Sequence, residues 1–150
     1  MSRTVSDLRG AIESLASAAT ISDPIEARRI FGDFRSRLTA GEIRAAEKVT
    51  APNGSTQWVV NAWVKQGILL GFRLGDLKQM SDGDVLSFVD KDTFPARRFA
   101  LGDRVRLVPG GSTVREGAYV APSVVCMPPM FINVGAYVDE NTMIDRKSVV

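Results

Sequence analysis

The sequence predicts an α+β protein in which a mainly helical region, residues 1–104, precedes the coils of a parallel β-helix, residues 105–150. Two observations lead to this prediction. Apolar residues recur at helical spacing in the first part, with Asp, Pro and Gly at helix ends, and the last third carries a six-residue repeat of small aliphatic residues. A hydrophobic content of 45% with 24% charged residues is typical of a globular domain and argues against a disordered chain.

Two helices are predicted over residues 5–19 and 24–40. The first presents one apolar face, formed by Val5, Leu8, Ile12, Leu15 and Ala19. The second begins where Asp23 can cap the N-terminus and Pro24 suits the first turn. Its apolar side is formed by Ile30, Phe31, Phe34 and Leu38. It should end at Gly41, because glycine readily adopts the left-handed conformation that closes a helix.

A turn is predicted at Pro52-Asn53-Gly54, followed by an apolar segment. The spacing of that segment favours a buried helix over residues 56–70, with Trp58 and Trp63 in the core. Its last part, residues 68–74, is also compatible with a strand.

Residues 75–104 give mixed signals, and no element is assigned to them. Asp82-Gly83-Asp84 has the composition of a turn. Three phenylalanines, Phe88, Phe94 and Phe99, are scattered apolar anchors.

From about residue 106 the apolar period changes to six. The series is Val108, Val114, Val120, Cys126, Ile132, Val138, Ile144 and Val150. A helix would need a period near 3.6 and a half-buried strand a period of 2, whereas a hexad is typical of a parallel β-helix, with three hexads in each triangular coil. The inward residues must be small because the tube is narrow, and Gly111, Gly117 and Gly135 suit its corners. We read Gly110-Gly111 as such a corner too, since it is too short for a phosphate loop.

Composition excludes several classes of function. With 19 basic and 17 acidic residues the net charge is only +2, so we expect neither a nucleic-acid partner nor a membrane partner. The absence of histidine excludes Ser-His-Asp and Cys-His catalysis and His-ligated metals, and a single cysteine excludes an intrachain disulfide and a zinc cage. No secretory signal is expected at the start of the chain, and we expect a cytoplasmic protein. The uncharged stretch 117–138 could cross a bilayer by length, but its Pro128-Pro129 pair disfavours a helix.

Several segments together carry a resemblance to a known family. In the first part of the chain they are Gly41-Glu42-Ile43-Arg44-Ala45-Ala46-Glu47-Lys48, then Trp58, and the run from Trp63 to Arg73. In the last part they are Arg106-Leu107-Val108-Pro109, Val114-Arg115-Glu116-Gly117-Ala118-Tyr119, and the run from Met127 to Asp145 that contains Asn133-Val134-Gly135-Ala136-Tyr137-Val138-Asp139-Glu140. Together they resemble tetrahydrodipicolinate N-succinyltransferases, the succinyl-CoA-dependent acyltransferases of bacterial lysine and diaminopimelate biosynthesis. The resemblance covers roughly residues 40 to 145.

The resemblance implies a left-handed β-helix and a homotrimer whose active sites lie between neighbouring β-helices. It implies a small dicarboxylate substrate, succinyl-CoA as co-substrate and no permanently bound cofactor. By position in the motifs, Arg106 would hold a substrate carboxylate, and Asp145 would bind the substrate and act as the catalytic base. A solvated surface aspartate and a simple ion-pairing arginine are the plainer alternatives.

Three other residues that could suggest chemistry are interpreted structurally. Cys126 falls on an inward position of the hexad series, so we expect it to pack in the core and not to act as a nucleophile. Asp139 and Glu140 are adjacent in a β-coil and should point in different directions, which argues against a shared acid/base site.

The family pattern continues beyond Asp145, whereas Arg146-Lys147-Ser148-Val149-Val150 does not match it. The hexads supply a little over two coils, fewer than stacked repeats normally need. We therefore expect an N-terminal fragment of the enzyme that is inactive by itself. The alternative is a non-enzymatic assembly module made of a helical cap and a short β-helix.

Overall fold

A computed structural model describes residues 3–80 and 87–146 and shows a mixed α+β fold. Across these described ranges the helices are α1 (Val5–Ser17), α2 (Pro24–Ala40) and α3 (Ala62–Leu74), with a 3₁₀ turn at Leu101–Asp103. The strands of the helical region are β1 (Ala46–Thr50), β2 (Thr56–Val60), β3 (Leu77–Gln79) and β4 (Val89–Lys91). The later strands are β5 (Arg106–Leu107), β6 (Thr113–Val114), β7 (Tyr119–Val120), β8 (Val125–Cys126), β9 (Phe131–Ile132), β10 (Tyr137–Val138) and β11 (Met143–Ile144).

The first two helices form as their end signals predict. Thr4 caps α1, and its hydroxyl and the Asp7 carboxylate exchange hydrogen bonds with each other's backbone N–H groups. Asp23 caps α2 by accepting from two backbone N–H groups of the first turn, and Pro24 is the first helical residue. The helix ends at Gly41, whose φ of 77° is the left-handed conformation predicted for this position. The first helix stops two residues earlier than predicted.

The helix predicted from residue 56 is wrong over its first five residues. Thr56–Val60 instead forms β2, which pairs antiparallel with β1 across the predicted Pro52-Asn53-Gly54 turn. The run Trp58-Val59-Val60 combines an aromatic with two β-branched residues, a composition that suits a strand. The helix starts only at Ala62, and it then continues through Leu74, so residues 68–74 are helical and not a strand.

The core placement of Trp58 is also wrong, because its side chain lies on the exposed hairpin and is 64% exposed. Trp63, the second residue of α3, is buried as predicted. It packs edge-on to Phe34 of α2, with ring centroids 5.7 Å apart. The core of the helical region is formed by Leu8, Ile12, Ile30, Phe31, Phe34, Leu38, Ile43, Trp63, Val64, Leu70 and Phe94.

Residues 75–104 contain a second antiparallel hairpin, β3 paired with β4. Of the three predicted anchors there, Phe94 is buried in the helical core, Phe99 is half-buried against the later core, and Phe88 is exposed. The turn predicted at residues 82–84 lies outside the described residues.

The C-terminal strands pair in parallel with strands that lie a regular distance away in the sequence. Tyr137 aligns with Tyr119, Thr113 with Phe131, and Met143 with Val125, each pair 18 residues apart. β5 aligns with β8, so β5, β8 and β11 form a three-stranded sheet beside two two-stranded ones. Three hexads therefore return the chain to the same side, as the six-residue period predicts.

The residues predicted to point inward are buried from the second member of the series onward. They are Val114, Val120, Cys126, Ile132, Val138 and Ile144, each at most 5% exposed. Val108, the first member, does not follow the prediction, because Leu107 lies opposite Cys126 and packs against the core while Val108 is only half-buried. Val150 lies outside the described residues. The corners also follow the prediction, since Gly117 and Gly135 have φ values of 91° and 86°.

The helical region is joined to the first coil by polar contacts. Arg35 on α2 lies 3.0 Å from the Glu116 carboxylate, measured from Nε to Oε2, and Arg115 forms an ion pair with Asp90. No helix within residues 3–80 and 87–146 has the length and apolar character needed to cross a membrane.

Candidate functional site

The two candidate site residues lie on the same three-stranded sheet. Arg106 begins β5 at one edge, and Asp145 directly follows β11 at the opposite edge, with β8 between them. Leu107 and Ile144 turn towards the core, so the alternation of side chains along a strand turns Arg106 and Asp145 outward. The fold therefore brings to one outer face two residues that are 39 positions apart in the sequence.

The side chain of Arg106 is exposed to solvent. Its backbone N–H donates to the carbonyl oxygen of Val124 at 2.9 Å, which fixes the residue in the sheet. Its side chain forms neither an ion pair nor a hydrogen bond with any residue that the structure describes. The arginine is thus available for a carboxylate from outside the chain, which its planar fork can hold with two parallel hydrogen bonds.

Asp145 is exposed as well, and one of its carboxylate oxygens accepts a hydrogen bond from the backbone. Oδ1 accepts a 2.7 Å hydrogen bond from the backbone N–H of Arg146, which holds the side chain close to the turn. Among the described residues, no cation pairs with this carboxylate. It can accept a proton or a hydrogen bond from a ligand on the outer face of the sheet.

The two side chains do not touch within one chain. Two strand spacings separate β5 from β11, and Asp145 lies two residues beyond the position opposite Arg106, so the Cα atoms are roughly 12 Å apart. Arg106 and Asp145 are therefore two separate charged groups on this face and do not form an ion pair with each other.

The remaining candidates have structural explanations. Cys126 is fully buried, and burial raises the pKa of its thiol, so it packs as an apolar residue. Asp139 and Glu140 are both exposed, and the carboxylate of Asp139 accepts from the backbone N–H of Glu140. Among residues 3–80 and 87–146 no group of three or more His, Cys, Asp or Glu side chains could hold a metal ion.

Sequence reasoning missed a stack of three side chains outside this sheet. The rings of Tyr119 and Tyr137 lie 4.4 Å apart, and the guanidinium of Arg44 lies 3.4 Å from the centre of the Tyr137 ring. Burial and the neighbouring Tyr137 and Asp139 raise the pKa of Tyr119. The sequence signal is that Arg44, Tyr119 and Tyr137 each stand inside one of the family motifs, far apart in the chain.

Comparison with known proteins agrees with the resemblance. Residues 7–74 match the family model described as Tetrahydrodipicolinate N-succinyltransferase N-terminal. A 2,3,4,5-tetrahydropyridine-2,6-dicarboxylate N-succinyltransferase of Acinetobacter baylyi is 37% identical over 155 aligned positions, covering all of this chain and 54% of the relative. Proteins of the same name from Polynucleobacter asymbioticus and Sodalis glossinidius are 36% and 35% identical, covering 92% and 96% of this chain and 50% and 51% of theirs. The chain thus spans about half the length of the curated relatives it matches.

Proposed function

We propose that the chain belongs to the tetrahydrodipicolinate N-succinyltransferase family and forms part of an enzyme that transfers the succinyl group of succinyl-CoA to the amine of tetrahydrodipicolinate. This reaction serves the lysine and diaminopimelate pathway. The observation that carries the proposal is the outer face of the β5–β8–β11 sheet. The proposal is supported there by an exposed Arg106, which pairs with none of the described residues, and by an exposed Asp145.

In this proposal Arg106 holds a carboxylate of the substrate, and Asp145 receives the proton that the amine loses. The 2,3,4,5-tetrahydropyridine ring carries a C=N bond, so water first adds to that bond and supplies the amine N–H. The amine nitrogen then attacks the thioester carbonyl, the new C–N bond forms and the C–S bond breaks. The proton taken up by Asp145 passes to the sulfur, which leaves as the thiol of coenzyme A. A carboxylate is a suitable base for this step in a chain without histidine. Succinyl-CoA enters as a co-substrate, and no permanently bound cofactor is required.

We further propose that the C-terminal strands are the first coils of a left-handed β-helix and that three copies assemble around it in the cytoplasm. The 18-residue register of the parallel strands and the buried hexad series support the coil architecture. A cleft between two copies would let Arg106 of one copy and Asp145 of another meet the same substrate, which the roughly 12 Å separation within one chain favours.

The test is an acyl-transfer assay on the whole protein that carries this chain. The protein is incubated with succinyl-CoA and tetrahydrodipicolinate, and the released thiol and the mass of the succinylated product are measured. We expect one thiol for each succinylated product. Thiol release that does not depend on tetrahydrodipicolinate would contradict the proposed acceptor.

The assay also separates this proposal from a non-enzymatic assembly module. A module would form oligomers and release no thiol from succinyl-CoA. In a parallel assay the 150-residue chain alone should be inactive, because it spans only about half of the relatives and a transferase must bind both substrates together. Turnover by the 150-residue chain would show that the site needs fewer coils than we propose.

A further inference from the structure

A second surface with the features of a ligand site lies away from the Arg106 sheet. A cavity of about 340 Å³ opens between the β1–β2 hairpin, α3 and the corner at Gly135. Its apolar walls are formed by Val60, Ile68, Leu69 and Val134. A neighbouring cavity of about 250 Å³ shares the Gly135 corner and is lined by Arg44, Trp58 and Tyr137. We call the two together the hairpin hollow.

The hairpin hollow leaves large apolar side chains in contact with solvent. Trp58 is 64% exposed, Val60 is 74% exposed, and Leu69 is 58% exposed. Exposed apolar residues that cluster around a concave surface mark binding sites more often than isolated ones do. The volume of the larger cavity falls within the range of small-molecule pockets, about 300–1,000 Å³.

The polar groups of the hairpin hollow are mainly cationic. Arg44 lies against the Tyr137 ring and lines the smaller cavity, and Lys65 lines the larger one. Neither side chain forms an ion pair with any residue in the described part of the chain. Asn61, which lines the larger cavity, donates a 2.8 Å hydrogen bond from its side-chain amide to Oε1 of Glu47.

We propose that the hairpin hollow binds a small organic carboxylate with an aliphatic body. The aliphatic part would cover the apolar walls at Val60 and Leu69, and the carboxylate would lie between Arg44 and Lys65, which form ion pairs with none of the described residues. Because Tyr137 belongs to the β7–β10 sheet, this site is separate from the face that carries Arg106 and Asp145. The proposal therefore does not depend on the succinyltransferase activity.

Octanoate is the probe for this site. Octanamide has the same aliphatic chain without the negative charge and serves as its uncharged control. Trp58 reports binding by fluorescence, because it lines the hollow, whereas Trp63 is buried in the helical core. We expect a saturable change in fluorescence with octanoate and about tenfold weaker binding of octanamide, which lacks the charge. Trp58→Phe should abolish the signal. Octanamide binding as tightly as octanoate, or a change that never saturates, would overturn the proposal.

Lys65→Met tests the role of the charge directly. It should weaken octanoate binding by about threefold or more and leave octanamide binding unchanged. Lys78→Met removes an exposed lysine from the β3–β4 hairpin and serves as the matched control, which should bind octanoate normally. Unchanged octanoate affinity in Lys65→Met would sink the assignment. A Trp58 fluorescence that changes with protein concentration and sedimentation mass, and does not change with octanoate, would also contradict the proposal. In that case the hairpin hollow would be a contact between copies of the chain.

Discussion

The hydroxyl of Thr39 joins the second helix to the first coil by accepting a 2.7 Å hydrogen bond from the backbone N–H of Gly117. The same hydroxyl donates to the carbonyl oxygen of Arg35 at 3.0 Å, so both of its hydrogen-bonding roles are used. Gly117 is a buried residue with a φ of 91°. Because it is buried, its backbone N–H needs an acceptor within the protein. The Thr39 side chain therefore supplies the hydrogen-bond acceptor for the backbone N–H of a residue 78 positions away.

Thr39→Val should destabilise the protein by about 1–3 kcal/mol, because valine keeps the shape and leaves the Gly117 N–H without an acceptor. Chemical denaturation followed by circular dichroism measures the change. Thr39→Ser keeps the hydroxyl and should recover most of the loss. Equal stability of the valine variant and the parent would show that the hydrogen bond does not support the joint.

Ile132→Ala should destabilise the coils by about 2–5 kcal/mol, since Ile132 is fully buried in their core and alanine leaves a cavity. Val89→Ala is the control, because Val89 is 62% exposed and its truncation should change the unfolding free energy by less than about 0.5 kcal/mol. Denaturant midpoints compare the two variants. Similar small effects would place Ile132 outside the core.

The thiol of Cys126 should be unreactive towards a soluble disulfide reagent while the protein is folded. It is fully buried at an inward position, and burial raises the pKa of its thiol, so little thiolate is present or accessible. The absorbance of the released thiolate follows the reaction, and one equivalent should react after unfolding in guanidinium chloride. Fast reaction of the native chain would contradict the inward assignment.

Glu26→Gln should reduce the dependence of stability on pH in acid. Hydrogen bonds from Arg29 and Arg3 lower the pKa of the Glu26 carboxyl from 4.5 to about 2. Because its pKa is lower in the folded state, the carboxylate contributes fully above pH 4.5, and this contribution is lost as the pH falls towards 2. Thermal midpoints across this range should fall less steeply in the variant than in the parent.

The control for Glu26 is Glu140→Gln, which removes one exposed carboxylate that pairs with no cation in the described ranges. It changes the net charge equally and should keep the slope of the parent. If the thermal midpoint of Glu26→Gln depends on pH as steeply as that of the parent, Arg29 and Arg3 do not lower the pKa of Glu26 in solution.

In the whole protein, Asp145→Asn should lower kcat by about 10²–10⁴ with little change in KM, because the amide keeps the shape and cannot accept the amine proton. Arg106→Lys should act mainly by raising KM, since lysine keeps the charge and loses the bidentate fork. Steady-state kinetics with both substrates separates the two effects. Normal turnover in Asp145→Asn would end its assignment as the base.

The sequence determined the elements whose signals are local. The cap at Asp23 and the stop at Gly41 set the bounds of α2, because each depends on the conformation of a few adjacent residues. The hexad period predicted the buried residues from Val114 to Ile144, because a coil of constant size turns the same position inward each time.

The tertiary structure decided what depends on distant partners. The apolar run at Trp58 fits a helix or a strand by itself, and its pairing with β1 selects the strand and leaves Trp58 exposed. The hydrogen bond from Gly117 to Thr39 and the stack of Arg44 on Tyr137 join segments with no common local pattern. Such contacts arise only when folded elements meet, since their energy depends on side chains brought together across the chain and not on the period of any one segment.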